Sequence, residues 1–123
     1  RGRHVLIVRN ETRQYTMMEQ GRVADRPCSR LRGLIGTEEL SPGEGLWILP
    51  CNGIHMLFMS FPIDAVYLDR DHIVVETVEE MQPWSIGRFV RGAQSVLELP
   101  SGTIAASGTR VGDRIALERR STP

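Results

Sequence analysis

The sequence predicts a mostly β fold, a sandwich or barrel of jelly-roll type with one or two short helices. Three observations carry this. Short apolar runs rich in β-branched residues recur along the chain, turn residues separate them at close intervals, and only two short stretches show helical spacing. Such a pattern belongs to packed or closed antiparallel sheets.

The elements follow in order. His4–Arg9, "HVLIVR", is a β-branched run and a predicted strand. Gln14–Met18 forms a second, which Gln20-Gly21 closes. Asp25 suits a helix N-cap. Cys28, Leu31, Leu34 and Ile35 then recur at helical spacing, and Gly36 suits the C′ position. "SPGEG" is a loop, and Leu46–Leu49 is a strand ending at Pro50. Ile54–Ser60 and Ala65–Leu68 are apolar runs split at Phe61-Pro62, where proline interrupts a ladder. Asp69–His72 reads as a hairpin turn with His72 solvated, and Ile73–Val78 as the returning strand.

Gln82–Gly92 reads as a long loop, Ser95–Leu99 as a strand, and Thr103–Ser107 as a helical turn ended by Gly108. Ile115–Glu118 is the last predicted strand. The chain is expected to be one domain, residues 1–123, frayed after about 119 and at its N-terminus near His4.

Composition narrows the function classes. Acidic and basic residues balance at fifteen each, so no electrostatic footprint points to nucleic acid or an anionic membrane. All fifteen basic residues are arginine, which reads first as a coding bias and second as a preference for bidentate contacts. No stretch has the apolar length of a membrane span, so membrane insertion is not expected. No signal peptide is visible, and Cys28 and Cys51 do not make a disulfide framework. The expected compartment is the cytoplasm. Export after loss of a leader, and one Cys28–Cys51 bridge, stay open as alternatives.

Several stretches in order resemble a widespread prokaryotic family, domain of unknown function 192. They are "RLRGLIG" (Arg30–Gly36), "GEGLWILPCNGIH" (Gly43–His55), "MSFPIDAVYLD" (Met59–Asp69), "VLELPSGT" (Val96–Thr103) and "VGDRI" (Val111–Ile115). The central motif resembles the family's Cys-x-x-Ile-His variant through Cys51, Ile54, His55, Met59, Pro62 and Asp64. It departs at Met56, where threonine is usual. The resemblance implies a compact jelly-roll or barrel fold and a bacterial or archaeal source. It implies no activity, cofactor or catalytic residue.

The chemistry must therefore come from the residues. Cys51 and His55 stand four apart, which an extended strand would separate by about 13 Å. A two-residue turn at Asn52-Gly53 would send them to opposite faces, so neither a nucleophile–base dyad nor a metal pair is favoured. Zinc lacks further ligands at a suitable spacing. Copper(I) held with Met56 and Met59 competes with those methionines being core filler. No metal or other cofactor is expected.

Asp64 falls on the face of Val66 and Leu68, opposite Ala65 and Tyr67. A carboxylate on a core-facing strand must be hydrogen-bonded or paired. It accepts backbone N–H groups freed at Pro62, pairs with a buried arginine, or lies at a pocket floor with His55 and Trp84. Glu98 reads as an exposed edge residue, and Asp113 as a turn residue bonding its own backbone.

The leading expectation is a small binding or accessory module. Its site is a cleft near His55, Asp64, Trp84, Arg88 and Arg91, and its partner a small molecule or an extended peptide. The rival is a small hydrolase with Asp64 and His55 as acid and base. A further alternative is a metal-binding protein with Cys51 and His55 as candidate ligands.

Overall fold

A computed structural model describes residues 3–24, 40–49, 61–82 and 90–122. Its elements are β1 (Arg3–Asn10), β2 (Tyr15–Ala24), β3 (Glu44–Ile48), β4 (Ile63–Leu68), β5 (Val74–Met81), β6 (Ser95–Pro100), α1 (Thr103–Ser107) and β7 (Ile115–Thr122). The predicted helix from Asp25, the Asn52-Gly53 turn and the Ile54–Ser60 strand lie outside the described residues.

The described strands form one seven-stranded sheet in the order β5-β4-β6-β3-β2-β1-β7. The mostly β class with a short helix is as expected, but the sheet is not closed into a barrel. Its two edges do meet at one point. Ile73 bridges Arg114, Val74 N–H donates to the Asp113 carbonyl, and Ile115 N–H donates to the His72 carbonyl. A sheet whose first and last strands touch must curl, as the ordinary strand twist allows.

The curl gives the sheet an inner and an outer face, and the alternation of each strand divides its residues between them. Leu6, Val8, Met18, Trp47, Val66, Leu68, Leu97, Leu99 and Ile115 pack on the inside. Leu46, Ile48, Ile63, Ala65, Tyr67 and Val96 form a second buried cluster on the other face. Strands β3, β4 and β6 are buried on both faces, so apart from Asp64 and Glu98 they read as nearly continuous hydrophobic runs.

Several boundaries differ from expectation: β3 and β4 each start two residues early, and β5 runs past the predicted end at Val78 to Met81. β2 runs on through Gly21 to Ala24, because Gly21 marks a bulge and not an end. Leu6 pairs with Gly21 and Val8 with Met18, so β2 carries one extra residue between them. The freed amides of Glu19 and Gln20 both donate to the Gly43 carbonyl. A Cβ at Gly21 would overlap Met18, so the missing side chain makes room for that core methionine. β7 does not fray after Arg119, and the N-terminal strand does not fray near His4. The two pair from Arg3–Thr122 to Asn10–Ile115, and each satisfies the other's ladder.

Helix α1 plugs one end of the curl with Ile104. Gly108 ends it in the left-handed region at φ 71°, the conformation glycine adopts without strain.

Candidate functional site

Asp64 is fully buried at the start of β4, on the inner face. Its Oδ1 accepts the Glu80 amide at 2.9 Å, and its Oδ2 accepts the Ile104 amide at 2.8 Å. Ile104 is the second residue of α1, whose first-turn N–H groups have no intrahelical acceptor. Gly102 at the N-cap has no side chain to cap them, so Asp64 caps the helix from across the fold. Its other oxygen holds Glu80, whose φ of 49° lies in the left-handed region. Asp64 thus ties helix, β4 and β5 together at the plugged end.

A cavity of about 400 Å³ opens at the other end of the same strand. Asp64 and Asp69 are five residues apart, about 17 Å of extended chain. Trp47 and Leu49, from β3 and just beyond, line the cavity with Asp69, Arg70 and His72 of the β4–β5 turn and Gln94 before β6. Ser95 completes the rim. It is the mouth of the curled sheet, a favoured place for small-molecule sites.

The turn is built by its own sequence. Asp69 Oδ1 accepts the amides of Asp71 at 2.8 Å and Ile73 at 2.9 Å, and the His72 amide donates to the Asp69 carbonyl at 3.0 Å. This winds His72 into the left-handed region at φ 63°. Glycine would sit there without strain, whereas another residue costs about 1 kcal/mol. The histidine side chain is therefore not solvated at a tip, as the sequence suggested. It is half-buried, with its ring edge-on to Trp47 at 5.6 Å between centroids and 88° between planes. That geometry is favourable for an aromatic pair. The Trp47 indole N–H is buried and has no acceptor among the described residues.

A second groove, also about 400 Å³, lies between β2, the Pro42-Gly43 turn and α1, with Tyr15, Thr16, Glu19 and Thr103 on its walls. It lacks a paired aromatic wall.

Glu98 corrects the expectation most sharply. It is not an exposed edge residue. It sits mid-strand in β6, opposite Leu46 of β3 and Ala65 of β4, and is only 4% exposed. Its Oε1 has no partner among the described residues. Burial pushes its carboxyl up to about 7.

Asp113 bonds its own turn as expected, through the Arg110 amide, and also reaches beyond it to Asn10 and Arg13. Its Oδ2 accepts Asn10 Nδ2, Arg13 Nε and the Arg110 amide, each at 3.0 Å, and its Oδ1 accepts Arg13 Nη2 at 3.2 Å. Burial pushes this carboxyl up, but the Arg13 and Asn10 hydrogen bonds outweigh it and hold it below the usual range. Asp113 fastens the β1–β2 turn to the start of β7.

Of the other sequence candidates, Arg91 is exposed in a turn that the Ala93 amide closes onto the Val90 carbonyl at 3.2 Å. His55, Trp84, Arg88, Cys28, Cys51, Met56 and Met59 lie outside the described residues. No metal-binding cluster of three or more His, Cys, Asp or Glu occurs among the described residues. No helix among them is long and apolar enough to cross a membrane.

Comparison with known proteins fits this architecture. The family model DUF192, "Uncharacterized ACR", matches residues 7–117. The chain belongs to the DUF192 family. A UPF0127 protein of Thermococcus sibiricus is 31% identical over 114 residues, covering 89% of this chain and 73% of its own. A crystal structure of a protein of unknown function from Novosphingobium aromaticivorans superimposes with a TM-score of 0.76 at 21% identity, over 90% of this chain and 82% of that one. A candidate transcription regulator from Sinorhizobium meliloti gives the same TM-score and identity over 94% and 93%. At this identity these two structures establish the shared fold and nothing about activity.

Proposed function

We propose that this DUF192 chain is a small-ligand-binding module whose site is the cavity between Trp47 and His72. The observation that carries the reading is the His72 turn. A histidine occupies a left-handed position that favours glycine, and its ring forms one wall of the cavity against Trp47. Strain of this kind concentrates at binding sites. The long loop that the sequence nominated for binding leads through Arg91 into Gln94 and Ser95, which rim the same cavity. Trp84, Arg88 and Arg91 fit this reading as residues of that loop.

An acid–base enzyme is the second reading, and Glu98 is what favours it. A carboxyl with a pKa near 7 is suited to proton transfer. Glu98 lines none of the cavities described above, so it is set apart from this site. Asp64, the acid first nominated beside His55, has each of its carboxyl oxygens held by a backbone amide.

His72→Gly tests the binding reading without harming the fold, since glycine tolerates φ 63°. Its unfolding free energy is expected to stay within about 1 kcal/mol of the parent. Fragments that bind the parent, detected by ligand-observed NMR, are expected to lose at least about fivefold in affinity, the value of one aromatic contact. Unchanged fragment affinity in His72→Gly would remove the cavity from consideration.

A further inference from the structure

The hydrogen-bonding inventory of the cavity says more than that something binds. Resting on the binding reading above, we propose that it takes a small monocarboxylate with a flat apolar body. Among the described residues donors outnumber free acceptors around the rim, chiefly through Arg70. The Arg70 guanidinium is exposed and has no hydrogen-bond or ion-pair partner among the described residues. Trp47 lines the cavity, and its indole N–H, a donor only, is itself buried and lacks an acceptor among the described residues. Gln94 and Ser95 bring donors and acceptors alike, so they can serve a ligand of either kind. The one carboxylate on the rim, Asp69, already accepts two backbone amides with Oδ1.

An acceptor-rich ligand complements such a rim. One guanidinium matches a carboxylate, two parallel N–H bonds to two oxygens. Among the described residues Arg70 is the one arginine on the rim and Asp69 stands beside it, a balance that suits a singly charged acid better than a phosphate. The remaining lining, Leu49 and the Trp47–His72 corner, offers apolar and aromatic surface to a flat body. The acid group would lie toward the turn and the ring toward β3.

Three probes of one shape and different charge test this: phenylacetate, phenylacetamide and phenethylammonium. They are titrated into the ¹⁵N-labelled chain and followed at the Trp47 indole N–H and the Arg70–Ile73 amides. Phenylacetate is expected to bind at least about fivefold more tightly than the amide, and the cation not at all. Arg70→Gln is expected to erase most of that preference while leaving phenylacetamide binding unchanged. Equal affinities for acid and amide, or an acid preference that survives Arg70→Gln, would overturn the carboxylate assignment and leave the cavity a binding site. A peptide with a free C-terminal phenylalanine that bound more tightly than phenylacetate would give the carboxylate to a chain terminus and overturn the small-acid proposal. Failure of all three probes to shift any of these resonances would overturn it outright. Fragment binding lost in His72→Gly would still support the binding reading in that case.

Discussion

Asp64→Ala is expected to destabilise the fold by about 3–5 kcal/mol, the largest effect of any single substitution considered. The change strands two buried amides, Glu80 and Ile104, and each unsatisfied donor costs about 1–3 kcal/mol. In a chain of this size that lowers the thermal midpoint by more than about 10 °C. Asp64→Asn keeps one acceptor and turns an amide group toward the other donor, so about half the loss is expected. Urea unfolding gives both values. Hydrogen exchange is expected to show protection lost first at Ile104 and Glu80. A fully stable Asp64→Ala would remove Asp64 as the tie between helix and sheet.

Glu98 gives the second large effect, and it depends on pH. The folded chain keeps the Glu98 proton up to about pH 7, whereas the unfolded chain releases it near 4.5. Between those values the folded state binds more protons, so its stability falls as pH rises through this window and levels off above it. The shift corresponds to about 3 kcal/mol. Glu98→Gln keeps the shape and abolishes the titration. It is expected to match the parent near pH 4.5 and to exceed it by about 2–3 kcal/mol at pH 8, measured as the difference between paired urea curves. The Asp113 carboxyl is held below its usual range, so its contribution is lost only at pH values under about 4, outside this window. Parallel curves for parent and Glu98→Gln across pH 4.5–8 would mean that Glu98 is not held protonated by burial.

These two carboxylates show what was legible in the sequence. Alternation placed Asp64 on the face of Val66 and Leu68, where the structure has it, because proline fixed the start of β4 and the period of two did the rest. Glu98 was misread because the same alternation says nothing about which strands flank β6. The signal was present in "VLELP", where apolar residues on both faces mark a central strand, but only the sheet order turns it into burial. Gly21 read as an end and proved a bulge, since its partner Leu6 and the Gly43 carbonyl are distant in sequence. The Thr103–Ser107 helical turn and its Gly108 stop were legible because they are local.

The candidate site was legible in pieces and not as a place. Asp69–His72 read as a turn from local residue types, as the structure has it, whereas most of the loop nominated for binding lies outside the described residues. Trp47 drew no functional reading, because nothing within β3 announces that His72 folds back upon it 25 positions later. The alignment of Trp47, His72 and Gln94 at one mouth is a product of topology.

Chemical-shift mapping of a fragment mixture on the ¹⁵N-labelled chain tests the central claim most directly. A binding module with its site at the mouth of the curl predicts that the Trp47 indole, the Arg70–Ile73 amides and the Gln94 side chain shift together and saturate with one affinity. Hits that move only resonances around Tyr15, Gly102 and Thr103, or a mixture that moves nothing near Trp47, would contradict it.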